Sequence, residues 1–323
     1  MGAKRRKKVL IVSAVIVLGV LNYLYEVIAF HPFLDVSINL VGVAHPENKY
    51  LKVMTWNVHC SMGADSVRQR QIARVILQEN VDFVLLNEFY QDSCGVLDSL
   101  LKKKFPYTME SHSHQKCGDI FYSKRELANT GKLSLYDFWR NRLSHCGEAY
   151  PDSLKGKILS AIRATIVIGT DSVQIFGMHL PSNSGDGSAI INSVDSLTKI
   201  DSYYLRYKKN MKERAFQARW VAKFINESSH PVIVMGDMND FSRSKPLNIY
   251  RSCGLKDSWW EGGLGYGSTF HGGWYRLRID YILYSPARDL KGLKLVSVKV
   301  VRTEWSDHNP IVASFSMKSK STK

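Results

Sequence analysis

The sequence predicts an α/β domain, α+β in the way its strands connect, and three observations predict it. Short apolar runs rich in Val and Ile recur along the chain, each a few residues long, as buried strands require. Stretches of helical period separate some of them. The first run, the first periodic stretch and the second run follow one another directly, a strand, helix, strand opening.

In chain order, the folded domain is expected over residues 51–317. Leu51-Lys52-Val53-Met54-Thr55-Trp56 reads as its first strand, and Ser66 to Glu79 as a helix with Val67, Ile72, Val75 and Ile76 apolar and arginines between. Val81 to Leu86 is a buried strand. Asn57 and Glu88 therefore leave the ends of two strands that can be neighbours. Further strands are predicted at Ile120-Phe121-Tyr122, Ile162 to Ile168, Val173 to Met178, Val232 to Met235, Ile279 to Leu283, Val296 to Val301 and Ile311 to Phe315. The stretch from Ser196 to Asn226 is long, basic and helix-prone. Its run from Tyr203 to Lys209 is expected to be a solvated face with the tyrosines packed inward; the rival is a cationic aromatic surface for nucleic acid or lipid headgroups. No internal repeat of fixed period is present.

With 323 residues, 45% of them hydrophobic, the chain can bury a large core, which excludes a disordered protein. The formal net charge is +15, and removing Lys4, Arg5, Arg6, Lys7 and Lys8 leaves +10. That excess suits an anionic substrate or surface and says nothing about the fold. Residues 1–8 form a basic cytoplasmic tail, and residues 9–30 are apolar apart from Ser13, Asn22 and Glu26. Those 22 residues match a hydrocarbon core of about 30 Å at about 1.5 Å per residue, and the basic cluster keeps the N-terminus cytoplasmic. One N-terminal transmembrane helix is therefore expected, with the domain periplasmic or extracellular. The alternative is a signal segment cut near Val27-Ile28-Ala29 and a secreted product. Residues 31–50, with Pro32 and Pro46, read as a linker, and residues 318–323 as a short basic tail. Cys60, Cys94, Cys117, Cys146 and Cys253 are compatible with one or two disulfides in an oxidising compartment, and they lack zinc spacing.

Six motifs fall in one order: Trp56-Asn57, Asn87-Glu88, His179-Leu180-Pro181, Gly236-Asp237-Met238-Asn239-Asp240, Arg278-Ile279-Asp280-Tyr281-Ile282 and Ser306-Asp307-His308-Asn309-Pro310. Each sets a carboxylate, amide or imidazole at or beside the end of an apolar run. Metal-assisted phosphoester hydrolysis needs such groups gathered from distant segments. Asp237 and Asn239, two apart after a strand, are expected on one side, the aspartate taking a proton from water and the amide orienting it. His308 is expected as an imidazolium steadying phosphoryl charge, with Asp280 accepting its other ring N–H. Glu88 offers hard oxygen to Mg²⁺ or Mn²⁺, with Asn57 beside it through its carbonyl. Singly, each motif has a bland reading: a tight turn, a surface pair, a solvated strand end.

Together they resemble the endonuclease/exonuclease/phosphatase superfamily, the deoxyribonuclease I-like group, over roughly Leu51 to Met317. The resemblance implies a four-layer α/β/β/α sandwich of two packed mixed β-sheets and a divalent-metal-dependent phosphoester hydrolase. It implies Glu88 as principal metal ligand with Asn57 and Asp307 beside the metal, Asp237 as the water-activating residue with Asn239 its companion, and His179 and His308 on the phosphate with Asp280 orienting His308. Two departures stand out: Asn87 replaces the usual glutamine, and His59 stands where some members carry aspartate. The expected function is a membrane-tethered, nuclease-like phosphodiesterase. The alternatives are a sphingomyelinase-like phospholipid headgroup phosphodiesterase, favoured by the stretch Trp259 to Gly263 and Gly273-Trp274-Tyr275, a phosphatase of small phosphate esters, or a catalytically inactive binding module.

Overall fold

The computed structural model describes residues 49–59, 65–90, 92–111, 118–138, 140, 160–182, 197–272, 276–286 and 292–317. The expected anchor at 9–30, most of the linker, the 318–323 tail, Cys60, Cys117, Cys146 and Gly273-Trp274-Tyr275 lie outside them. No helix among the described residues is long and apolar enough to cross a membrane.

The elements are β1 (Lys49–Asn57), α1 (Ser66–Glu79), β2 (Phe83–Phe89), α2 (Gly95–Lys102), β3 (Tyr107–Glu110), β4 (Gly118–Ser123), β5 (Leu127–Ser134), α3 (Leu135–Phe138), β6 (Ser160–Ile168), β7 (Asp171–His179), α4 (Leu197–Asn226), β8 (Val232–Asp237), α5 (Lys245–Ser252), β9 (Lys256–Asp257), α6 (Ser258–Gly262), β10 (Asp280–Tyr284), β11 (Lys294–Val300) and β12 (Ile311–Met317). They build two six-stranded mixed sheets, ordered β11-β12-β1-β2-β4-β3 and β5-β6-β7-β8-β10-β9. In the first, β1 runs parallel to β2 and antiparallel to β12. In the second, β8 runs parallel to β7 and antiparallel to β10.

Strand alternation explains the layers. Leu51, Val53, Phe83 and Leu85 turn inward and meet Ile162, Ile175, Ile233, Met235 and Ile282 between the sheets. The residues between them turn outward: Met54, Trp56, Val84 and Leu86 pack against α1 and α2 through Ile72, Ile76, Leu97 and Leu101. On the other side, Phe176, Met178 and Val234 pack against α4 and α5 through Trp220, Val221, Leu247 and Tyr250. Central strands thus need apolar residues on both faces, which is why they read as near-continuous apolar runs.

In α1 the Asp65 side chain accepts from Val67 N–H at 2.8 Å, and Asn80 closes the helix in the left-handed region. Val67, expected on the apolar face, is exposed at 57%. Gln69 takes the buried position instead, because its amide donates to the Ser93 carbonyl at 2.8 Å and accepts from Leu97 N–H at 3.0 Å, joining α1 to α2.

Candidate active site

Chain direction places the chemistry at one end of both sheets. Asn57, Glu88, His179 and Asp237 lie at the carboxyl ends of β1, β2, β7 and β8, and Asp280 opens the antiparallel β10. Register confirms the convergence: Asn57 pairs with Asn87, and Asp237 pairs with both His179 and Asp280. Asp307 and His308, expected to open the last strand, sit in the loop just before β12. Pro310 ends that loop, and it has no N–H to give to a ladder.

The two sheets are stitched together here by side chains. The Asn57 amide donates to Glu88 Oε1 at 3.0 Å and to Asp237 Oδ2 at 3.1 Å. Its carbonyl accepts from His59 N–H at 3.1 Å. Asn57 therefore turns its NH2 group, not the expected carbonyl, toward the carboxylates, because His59 in the left-handed region (φ 42°) claims the oxygen. The Asn87 amide donates to Asp119 Oδ1 at 2.7 Å and to the Met178 carbonyl at 3.1 Å, and accepts from Asp237 N–H at 3.1 Å. The shorter side chain at this departure from the family pattern is thus a buried link between β2 and the second sheet.

Glu88 lies within a register shift in β2, between Leu86 and Phe89, and takes φ 53°. A bulge re-aims a side chain, and a non-glycine residue in that region costs on the order of 1–3 kcal/mol. Its half-buried carboxylate is 3.8 Å from His179 Nε2, which is also 3.8 Å from Asp237 Oδ2. Asn239 is not placed by strand alternation. The strand ends at Asp237, whose Oδ1 accepts Asn239 N–H at 2.9 Å in a left-handed turn (φ 49°), and the Asn239 amide donates to the Leu180 carbonyl at 2.9 Å. Asp237 and Asn239 still share one site, and His179 is joined to it through Leu180.

Asp280 and Asp237 flank His308, with Nδ1 2.8 Å from Asp280 Oδ2 and Nε2 3.8 Å from Asp237 Oδ2. Burial disfavours charge on this imidazole, but Asp280 and Asp237 outweigh it and carry its pKa up to about 10. It is an imidazolium at neutral pH. Burial and the Asp280 charge push Asp237 up to about 6, with His308 and His179 restraining it. Asp307 is drawn below the usual carboxylate range: burial opposes its charge, but the His59 hydrogen bond and His308 prevail. His59 Nδ1 lies 3.2 Å from Asp307 Oδ1, and Asp307 in turn raises the His59 pKa against the effect of burial.

Among the described residues, two groupings could hold a cation. Ligand atoms of Asp237, Asp280 and His308 lie within 4.8 Å of one another, yet a doubly flanked imidazolium has no lone pair to give a metal. Glu88 and Asp307 offer partly exposed hard oxygens, the donor chemistry of Mg²⁺ or Mn²⁺.

Sequence reading missed the residues that hold these groups. Trp56 Nε1 donates to the His308 main-chain carbonyl at 2.8 Å, and Ser306 Oγ to the Asn57 main-chain carbonyl at 2.8 Å. Thr269 Oγ1 accepts from Ile279 N–H at 3.1 Å and Asp280 N–H at 3.0 Å, while Phe270 lies edge-on to His308. Arg68 donates to the Trp305 carbonyl at 2.7 Å and to the Val58 carbonyl. Fully buried Arg214 of α4 donates to Asp240 Oδ2 at 2.9 Å and to the Pro181 carbonyl at 3.0 Å, clamping two active-site loops. Only Trp56 and Ser306, each within its motif, carried a local signal.

A family model described as Endonuclease/Exonuclease/phosphatase family matches residues 54–308. No curated protein matches the chain in sequence. Among solved structures, a humanized D. rerio TDP2 with 14 mutations is similar at 16% identity and TM-score 0.59, covering 82% of this chain and 98% of that one. D. rerio TDP2 complexed with single strand DNA product gives 16%, 0.58, 82% and 98%. An endonuclease/exonuclease/phosphatase family protein from Bacteroides thetaiotaomicron gives 16%, 0.58, 84% and 98%. At these identities the structures establish the fold.

Proposed function

The chain belongs to the endonuclease/exonuclease/phosphatase family and is a metal-dependent hydrolase of phosphoester bonds; we propose that its substrate is a nucleic-acid phosphodiester. The observation that carries this reading is the convergence, across two sheets, of a raised-pKa aspartate and an imidazolium 3.8 Å apart. Asp237, once ionised, takes a proton from the attacking water, and Asn239 orients that water. His308, held by Asp280, and His179 face the phosphoryl oxygens, where their N–H groups meet growing negative charge. Glu88 and Asp307 would hold the cation, with the Asn57 amide steering the Glu88 carboxylate. Bound there, Mg²⁺ or Mn²⁺ supplies Lewis-acid neutralisation of the phosphoryl group.

Nucleic acid is favoured by the +10 charge outside the first eight residues, because phosphate neutralisation dominates such binding. A protein of the same fold, D. rerio TDP2, is known with single strand DNA product. A phospholipid headgroup is the second reading, favoured by the exposed aromatics Phe241 at 36% and Trp260 at 42%. An inactive binding module would have lost site groups, and all eight expected ones are present. We place residues 9–30 in a membrane as an uncleaved anchor with the catalytic domain outside. Cys94, which is disulfide-bonded, suits an oxidising compartment.

The test is a panel of DNA, RNA, sphingomyelin, and sugar or inositol phosphates assayed with Mg²⁺, Mn²⁺ or chelator. Metal-dependent cleavage of nucleic acid is expected. Turnover confined to lipid or to monoesters would replace the substrate assignment.

A further inference from the structure

A cavity of about 510 Å³ opens between α5, β9 and α6, lined in part by Ser242 and Arg243 of the loop that follows Asp240, and no step above uses it. Its polar lining includes Arg243, Asn248, Arg251, Lys256 and Glu261, with Trp260 as its exposed aromatic wall. These side chains are held in place. The Arg243 guanidinium lies over the Trp260 indole, 6.0 Å from the centroid. Arg251 donates to Asn248 Oδ1 at 2.9 Å, and the Asn248 amide donates to the Arg243 carbonyl at 3.0 Å, tying the loop to the helix.

Charge balance in the cavity is positive. Its carboxylates are Asp257 and Glu261. Asp257 is buried and bridged by Arg278 at 2.8 Å, and Glu261 is bridged by Lys256 at 2.7 Å. The lining thus carries three cations, Arg243, Arg251 and Lys256, against two carboxylates, beside an indole.

Two connections lead from the cavity to the reacting groups. Arg243 follows Asn239 by four residues, which limits their Cα atoms to about 14 Å. Arg278, which holds the lining residue Asp257, lies two residues before Asp280, in the segment that leads into β10. A chain of nucleotides leaving the scissile phosphate can therefore reach it. We infer that this cavity is a subsite for a single-stranded polynucleotide: a backbone phosphate rests on Arg243 and Arg251, and an unstacked base lies against Trp260. Guanidinium pairs match phosphate geometry, and an indole accepts any base. Single-stranded nucleic acid is favoured over a lipid surface because the cations line a recess rather than a protruding rim. The inference rests on the nucleic-acid reading of the active site.

The experiment compares the full chain with R243E/R251E and with Trp260→Ala, confirming equal melting temperatures. Binding of a labelled oligothymidylate is followed by fluorescence anisotropy in chelator across a salt series. Cleavage of bis(p-nitrophenyl) phosphate with Mg²⁺, too small to span both sites, is measured separately. The double variant is expected to bind at least tenfold more weakly, with its log K versus log salt slope reduced by about 1.4 for two lost single-strand contacts. Trp260→Ala should weaken binding about tenfold at any salt. Both should cleave the small diester at the wild-type rate. Unchanged oligonucleotide binding, or a defect seen only with phosphatidylserine vesicles, overturns the subsite whether or not the enzyme is active. Failure of the wild type to cleave the small diester would instead contradict the reading of the active site.

Discussion

At the scale of single residues, the site is assembled from groups that the fold holds at some expense. Burial raises Asp237 to about 6, so the folded state prefers its proton, and stability from this group falls as pH rises from its ordinary value through 6. Asp237→Asn is therefore expected to melt no lower than wild type at pH 7 while losing activity about 10²–10⁴-fold; steady-state rates and thermal melts check both. The wild-type rate should climb through pH 6 as the base ionises. His308 works in the opposite sense. Its pKa is raised in the folded state to about 10, so its contribution is full below its ordinary pKa of 6.5 and is lost as pH rises through 10. Urea unfolding at pH 7 and pH 10 should show His308→Gln much closer to wild type at pH 10. His59 pairs with Asp307 where an acid stands in some relatives. His59→Asp adds negative charge beside the cation ligands and should lower the Mg²⁺ concentration needed for half-maximal rate.

At the scale of elements, positioning depends on contacts far apart in sequence. Gly236 adopts φ 136°, and a Cβ there would lie 1.9 Å from the Met178 carbonyl oxygen. Gly236→Ala must therefore push β8 away from β7 exactly where Asp237 and His179 meet, and a loss on the order of 3 kcal/mol is expected by urea unfolding. Arg214→Ala leaves Asp240 buried without its cation, with an expected loss of about 3–5 kcal/mol. These dependencies explain what the sequence could and could not show. The central strands were legible because burial on both faces demands apolar runs, and α1 was legible from its period and its Asp65 cap. β3 and β5 were not: both are edge strands, and Leu127 to Ser134 is half-exposed or exposed at every position but Leu133. α5 did leave a signal, Ser244 before Pro246 at the first turn. The chemistry-bearing residues were legible as a set because hydrolysis needs those groups at strand ends. Asp119, Arg214 and Thr269 were not, since nothing local marks a residue whose partner lies on another strand or helix.

At the scale of the whole molecule, the two sheets present matching halves, each with a parallel strand pair flanked by an antiparallel neighbour. The site sits where those halves meet, so neither sheet alone carries it: Glu88 and Asp307 come from the first, and His179, Asp237 and Asp280 from the second. Two asparagines link them: the Asn57 amide donates to Glu88 in its own sheet and to Asp237 in the other, and Asn87 bonds Met178 and Asp237 across the interface. The central claim is that this shared end hydrolyses phosphodiesters with a divalent cation and Asp237 as base. The most direct measurement is p-nitrophenol release from bis(p-nitrophenyl) phosphate by wild type and Asp237→Asn, each with Mg²⁺ and with chelator. Release by the wild type with Mg²⁺ alone is predicted; equal release by the variant, or release that persists in chelator, would contradict it.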